Sequence, residues 1–347
     1  MNPYASLPDS AFWRKGVVDC FPSFEGVYKK KFILRDRDKI ATAGSCFAQH
    51  ISRHLKQNGF DILDKEPAPP NIAPDAYWKH GYGQYSARFG NIYSVHQLLQ
   101  LAMEAFGDGS IELPIWRRDG RYYDALRPGV EIDGYSSHEQ VVEERLRHLE
   151  SVRALFLDLD VLVFTLGLTE YWYDTVLNAV LPIAPEVIAG DFEPGRHEFR
   201  NANVLEVVSV FNEFQKYIQE KRDGTIFRCI LTVSPVPLTA TYANRHVIVS
   251  TSASKSILRA AAAHLQDSQG QIDYFPSYEI VTHPCRRSSG FEENMRTVNP
   301  EAVADVMSVF FGQHKPNSAR NDGEYPNQDI DLYVNCEEER LEAVLDD

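Results

Sequence analysis

The run VLVFTLG at residues 161–167 constrains the fold more than any other feature of the chain. It carries no charge and a single hydroxyl. A strand with one face in water alternates apolar and polar residues, so an uninterrupted run of this kind needs cover on both faces. A helical stretch, EERLRHLESVRALFLDL at 143–159, stands directly before it. Two further apolar runs share the setting. KIATAG at 39–44 leads into FAQHISRHLKQNGF, where Phe47, Ile51 and Leu55 share one helical face, and TIFRCILTVSP at 225–235 follows a long helical stretch at 204–223. Alternation of this kind predicts an α/β chain: a central parallel sheet between two helical layers, a three-layer αβα sandwich.

Other stretches fill in the organisation. VHQLLQLAMEAFG at 95–107 reads as an apolar helix, and NPEAVADVMSVFFG at 299–312 as the last helix, with Pro300 in its first turn. IDYFPSYEIV at 272–281 reads as a strand. SASKSILRAAAAHLQ at 252–266 resembles a serine-lysine dyad pattern only weakly and reads better as a helix capped by Ser252, with Lys255 in solvent. Two stretches, near 108–139 and near 175–203, read as insertions, the first irregular and rich in Gly, Asp, Arg and aromatic residues. Residues 1–313 then form the α/β domain. Residues 314–347, which close on NCEEERLEAVLDD, read as an acidic tail or a peripheral helix.

Charge and cysteine usage narrow the function classes. Acidic residues outnumber basic ones by 49 to 35, for a net charge of -14, and the densest basic cluster is the three lysines at 29–31. Nucleic acid and anionic membrane surfaces are therefore not expected partners. No apolar run approaches the ~20 residues of a bilayer span, and the N-terminus does not resemble a secretory signal. The five cysteines, Cys20, Cys46, Cys229, Cys285 and Cys336, are widely spaced without a C-x-x-C pair. Neither a metal site nor a disulfide framework is expected, and a reducing cytoplasm suits the chain.

In a parallel sheet the working residues sit at the carboxyl ends of the strands. Three such ends carry chemistry here: Ser45-Cys46, Gly167-Leu168-Thr169-Glu170 and Ser234-Pro235. Cys46 falls at the start of a helix, where the amide field favours a thiolate and predicts a depressed thiol pKa. His50 lies one turn on, on the same face, placed to exchange a proton with it. Taken alone, Cys46 reads as readily as a small buried hydrophobe. Ser234 reads as a turn residue. Tyr85, Phe89, Tyr93, Tyr171 and Trp172 suit either an acyl or sugar pocket or the core.

GSCFA at 44–48 is the signature that the chain shares with the GSCFA domain family, a branch of the SGNH/GDSL hydrolase clan. The resemblance extends over roughly residues 10–312, through YSARFGNIYSVHQLLQL, VFTLGLTEYW, LTVSPVPLTAT and DYFPSYEI. It implies a flavodoxin-like SGNH fold and acyl-ester chemistry. Cys46 takes the place of the clan's serine, Ser45 that of its aspartate, and the Cys46 amide would be one oxyanion donor. Gly90, with Asn91 beside it, matches the second block. Gly167 opens the third, where Thr169 replaces the oxyanion asparagine and Glu170 the acid after it. The last block departs from the pattern: Asn294 and Thr297 stand where the clan has its aspartate and histidine, so the base must come from elsewhere, with His50 favoured over His283. The implied activity is an acyl hydrolase or O-acyltransferase acting on an acyl ester, thioester or acylated glycan. Its partners would be a small acyl donor, acyl-CoA in a cytoplasmic setting, and a glycan acceptor; no bound cofactor is implied. The alternative is a degenerate scaffold that binds a ligand or glycan without turning it over.

Overall fold

Four strands whose residues are almost all buried make the central sheet: β1 (Ile40–Gly44), β4 (Val161–Leu166), β8 (Arg228–Val233) and β9 (Ile272–Tyr274). They run parallel in the order β1-β4-β8-β9, with Ile40 opposite Val161, Val161 opposite Arg228 and Cys229 opposite Ile272. Outside β1, Ile62 makes a single parallel bridge to Ile40. The computed structural model describes residues 2–20, 23–109, 111–286, 289–314, 334 and 336–343.

Side chains along each strand leave the sheet on alternate faces, and the two faces meet different helices. Ala41, Ala43, Leu162, Phe164, Leu166, Leu231 and Val233 join the core under α3 (Val95–Ala105), α4 (His138–Asp158), α5 (Val204–Lys221) and α6 (Val247–Ser268). Ile40, Val161, Val163 and Ile230 pack on α1 (Phe47–Gln57), α7 (Ser277–Thr282) and α8 (Pro300–Gln313). The outcome is the expected three-layer αβα sandwich. No helix among the described residues is long and apolar enough to cross a membrane.

The structure departs from the sequence expectations in four places. IDYFPSYEIV is a strand only as far as Tyr274. Pro276 cannot donate to a ladder, and helix α7 begins at Ser277. The helix at 252–266 starts earlier, at Val247, where the His246 ring accepts the Ile248 amide at 3.2 Å, so Ser252 is an interior residue and not a cap. The stretch near 108–139 is not irregular throughout. It contains the hairpin β2 (Ile115–Arg118) and β3 (Arg121–Asp124). This hairpin shares a small core with an antiparallel sheet of β5 (Glu170–Asp174), β6 (Ala179–Leu181) and β7 (His197–Asn201), through Trp116, Tyr123, Leu181 and Ile188. A short helix, α2 (Tyr77–His80), lies in the connection after α1.

The fourth departure is the C-terminus. Residues 315–333, 335 and 344–347 of the expected tail lie outside the described residues, but part of the rest is not peripheral. Cys336, Glu337 and Glu338 are buried at the carboxyl edge of the central sheet, and α9 (Arg340–Ala343) follows them.

Candidate active site

The site forms where β1 ends. Gly44 adopts φ +134°, and a Cβ there would lie 2.5 Å from the Thr165 carbonyl oxygen of β4 and 2.7 Å from its nitrogen. Only glycine allows that approach. It brings Ser45 to β4, where its amide donates to the Thr165 carbonyl at 3.1 Å, and puts Cys46 at the N-cap of α1. Gly167 does the same for β4: a Cβ there would stand 2.9 Å from the Ser45 Cβ and 3.0 Å from the Tyr93 carbonyl oxygen.

Around Cys46 the side chains come from five separate stretches. Tyr85 donates its hydroxyl to Asn91 Oδ1, which also receives Gln49 Nε2 at 3.4 Å. With its oxygen engaged, Asn91 turns Nδ2 toward the Glu337 carboxylate and donates to Oε2. Tyr93 donates its hydroxyl to the same oxygen at 2.8 Å. Gly90, at φ +69°, and Gly129 face the other oxygen: a Cβ at Gly90 would lie 3.4 Å from Glu337 Oε1, and one at Gly129 would overlap it outright.

Beside this carboxylate lies a cationic wall. Arg296 donates to Cys336 Sγ at 3.5 Å, to Glu338 Oε2 at 3.3 Å and to Glu339 Oε1 at 3.3 Å. Lys255 is 1% exposed and donates from Nζ to the Gly167 carbonyl at 2.8 Å. Burial lowers its pKa to about 8, against the pull of Glu338 and Cys46 in the other direction. The Glu338 carboxyl is pushed up by burial and drawn back by Arg296, Lys255 and the Thr239 amide.

The two thiols share one hydrogen bond. Cys46, 4% exposed, bonds to Cys336, and that bond and burial raise its pKa well above the ordinary thiol value. Cys336 is lowered by the same bond, with Arg296 pulling in the same direction against its burial. The expected low pKa at Cys46 is therefore corrected. Position at a helix start does not compensate for removal from water plus a sulfur acceptor that lies nearer the guanidinium.

Ser45 is buried, and its carbonyl accepts the Tyr85 hydroxyl at 3.2 Å. Thr169 uses its hydroxyl and its amide on Ser254 Oγ, each at 3.1 Å. Glu170 accepts from the Thr241 hydroxyl at 2.8 and 3.0 Å, and burial raises its pKa. It faces a neighbouring cavity of about 290 Å³, lined also by Tyr171, Trp172, Glu338 and Leu341. His50 lies on α1 with its ring 5.7 Å from that of Phe47, and its carbonyl accepts from the His54 ring at 2.9 Å. His283 is held elsewhere: its ring lies 5.3 Å from that of Trp13 and accepts the Cys285 amide at 3.2 Å. Asn294 and Thr297 bond to each other at 2.8 Å in an exposed turn, and the residue between them that reaches the site is Arg296.

Sequence reasoning missed Lys255, Arg296 and the C-terminal trio. Lys255 had a signal. It falls on the stripe of Ser254, Leu258, Ala261, Ala262 and Leu265 that faces the core, so it was never a solvated position. Arg296 and Cys336 had none, because their contacts span some 40 residues of chain.

A family model described as the GSCFA family matches residues 39–310. No curated protein matches the chain.

Proposed function

The chain belongs to the GSCFA family, and from its site we propose that it is an acyl-transferring enzyme, a hydrolase or O-acyltransferase, with Cys46 as nucleophile. One observation carries the reading: the Asn91 amide and the Tyr93 hydroxyl converge on a single carboxylate oxygen, Glu337 Oε2, beside Cys46. Converging donors beside a nucleophile are what an oxyanion requires. In the proposed reaction the carbonyl oxygen of an acyl ester or thioester occupies that position. Lys255, as the neutral amine, takes the proton of Cys46. The thiolate adds to the carbonyl carbon, and the tetrahedral oxyanion accepts from Asn91 and Tyr93. Collapse expels the alcohol or thiol, which takes its proton from the Lys255 ammonium. Water or an acceptor hydroxyl then cleaves the thioester by the reverse sequence. A lysine near pH 8 is poised for such exchange. It fills the role that the missing histidine leaves open, and His50 is the second candidate for it. The SGNH relationship, a glycan acceptor and a cytoplasmic acyl-CoA donor belong to this same reading.

The binding-module reading is favoured by one fact, that Cys46 keeps its proton under Cys336. An acylation experiment separates the two. The full-length protein and a Gly129→Ala variant, in which the Glu337 carboxylate must move, are incubated with a short-chain activated thioester and weighed intact. An acyl adduct that disappears in Cys46→Ala is expected. Cys46→Ser should lose nearly all of it, since an alcohol ionises far less readily than a thiol beside a lysine base. The absence of any adduct in both proteins would leave the binding module.

A further inference from the structure

Two carboxylates lie inside the Cys46 pocket, and both come from the chain's own C-terminal segment. Glu337 is 1% exposed and Glu338 6%. Burying a carboxylate is costly unless partners replace its water, and each here has dedicated partners. Glu337 has Asn91 Nδ2 and the Tyr93 hydroxyl on one oxygen, while the other, Oε1, lies against Gly90 and Gly129 and has no hydrogen-bond partner among the described residues. Glu338 has Arg296 at 3.3 Å and the Thr239 amide, with Lys255 close enough to act on it. In a chain of net charge -14, two largely buried cations beside one small pocket call for a specific anionic partner.

The origin of the two halves decides what they mean. Every residue that receives a carboxylate, from Gly90 to Arg296, lies within the stretch 39–310 that matches the family, whereas the residues that supply them lie outside it. The receiving half is part of the α/β body. The occupant is a separate strip of chain. Directly beyond Glu338 the 290 Å³ cavity offers room for the rest of a bound molecule.

We propose that the pocket over Cys46 recognises ligands bearing two neighbouring carboxylates, and that Glu337 and Glu338 occupy it as a built-in copy of such a ligand. The inference names the ligand class of the site proposed above. It asks only for binding, so its failure and the failure of acyl transfer are read separately.

The test uses full-length protein carrying Glu337→Lys and Glu338→Lys, which keeps its own segment from competing. The probe is a fluorescein-labelled hexapeptide with the sequence of residues 336–341, followed by anisotropy. Binding is expected, at least tenfold tighter than for the same peptide with its glutamates replaced by glutamine. It is also expected to be at least tenfold tighter than to unsubstituted protein, whose pocket is filled. Adding Arg296→Ala, or independently Gly129→Ala on the opposite wall, should each reduce affinity tenfold or more. Binding is read whether or not the protein transfers acyl groups. Glutarate serves as competitor: displacement assigns the pocket to small diacids, and its absence at millimolar concentration assigns it to acidic peptides. Equal binding of the glutamine peptide, or no binding to the substituted protein, would overturn the proposal.

Discussion

Replacing Lys255 by methionine tests the electrostatics of the site through folding alone. The side chains are similar in length, so packing is largely kept while the charge is removed. An ordinary lysine titrates at 10.5, and burial brings Lys255 to about 8. At about 1.4 kcal/mol per pH unit, holding this amine charged in the folded protein costs about 3 kcal/mol at neutral pH. Against that gain, the variant leaves the Gly167 carbonyl without its donor, a loss of about 1–3 kcal/mol. At pH 7 the variant is therefore expected to lie between unchanged and about 2 kcal/mol more stable. The pH dependence is the sharper part. Below pH 8 the amine is charged in both states. Between 8 and 10.5 the folded state has released its proton and the unfolded state still holds one, so stability rises with pH. Relative to Lys255→Met, the unsubstituted protein should gain about 2 kcal/mol between pH 7 and pH 9.5, measured by urea unfolding at each pH. Parallel stability curves for the two proteins would refute the assignment of a low pKa to Lys255 and with it the role of Lys255 as a base.

Two further outcomes follow from the close contacts at Gly44 and Gly129. Gly44→Ala should cost at least about 3 kcal/mol or prevent folding, because it adds a side chain at a strongly positive φ and drives it into the backbone of Thr165; a thermal melt within a few degrees of the parent would contradict this. Gly129→Ala should lower the pH midpoint for alkylation of Cys46 by iodoacetamide and raise its rate at pH 7, read by peptide mapping against the other four cysteines; an unchanged profile would mean that the C-terminal segment does not control this thiol.

The layers of the fold were legible because they rest on local signals. VLVFTLG needs cover on both faces wherever it sits, and Phe47, Ile51 and Leu55 fix the buried side of α1 by spacing alone. The end of β9 and the start of α6 were misread where two local signals competed. Tyr274, Phe275 and Tyr278 look like strand while Pro276 ends it, and the β-branched Val247, Ile248 and Val249 hide a helix start that His246 caps. The site was half legible. Cys46, Asn91 and Gly167 were reached through the GSCFA motif and the strand-end rule. Arg296 was hidden because the expected histidine directed attention to Thr297, one residue on, and the C-terminal trio because an acidic run ordinarily means solvent.

That last misreading bears on the chemistry of Cys46. The influences on its proton divide by origin. Burial, to which the α/β body and the C-terminal segment both contribute, favours the thiol, and Arg296 of the α/β body favours the thiolate. Cys336, by hydrogen bond and by charge, and Glu338 by charge all favour the thiol, and all come from the C-terminal segment. With the segment in place the thiol wins and the helix-start field is outweighed. With the segment out of the pocket, Cys336 and Glu338 no longer act on the thiol and Arg296 still does. A thiol that is quiet under its own C-terminus and ionises more readily once that segment leaves needs no histidine at position 297, because the segment then decides when a nucleophile exists.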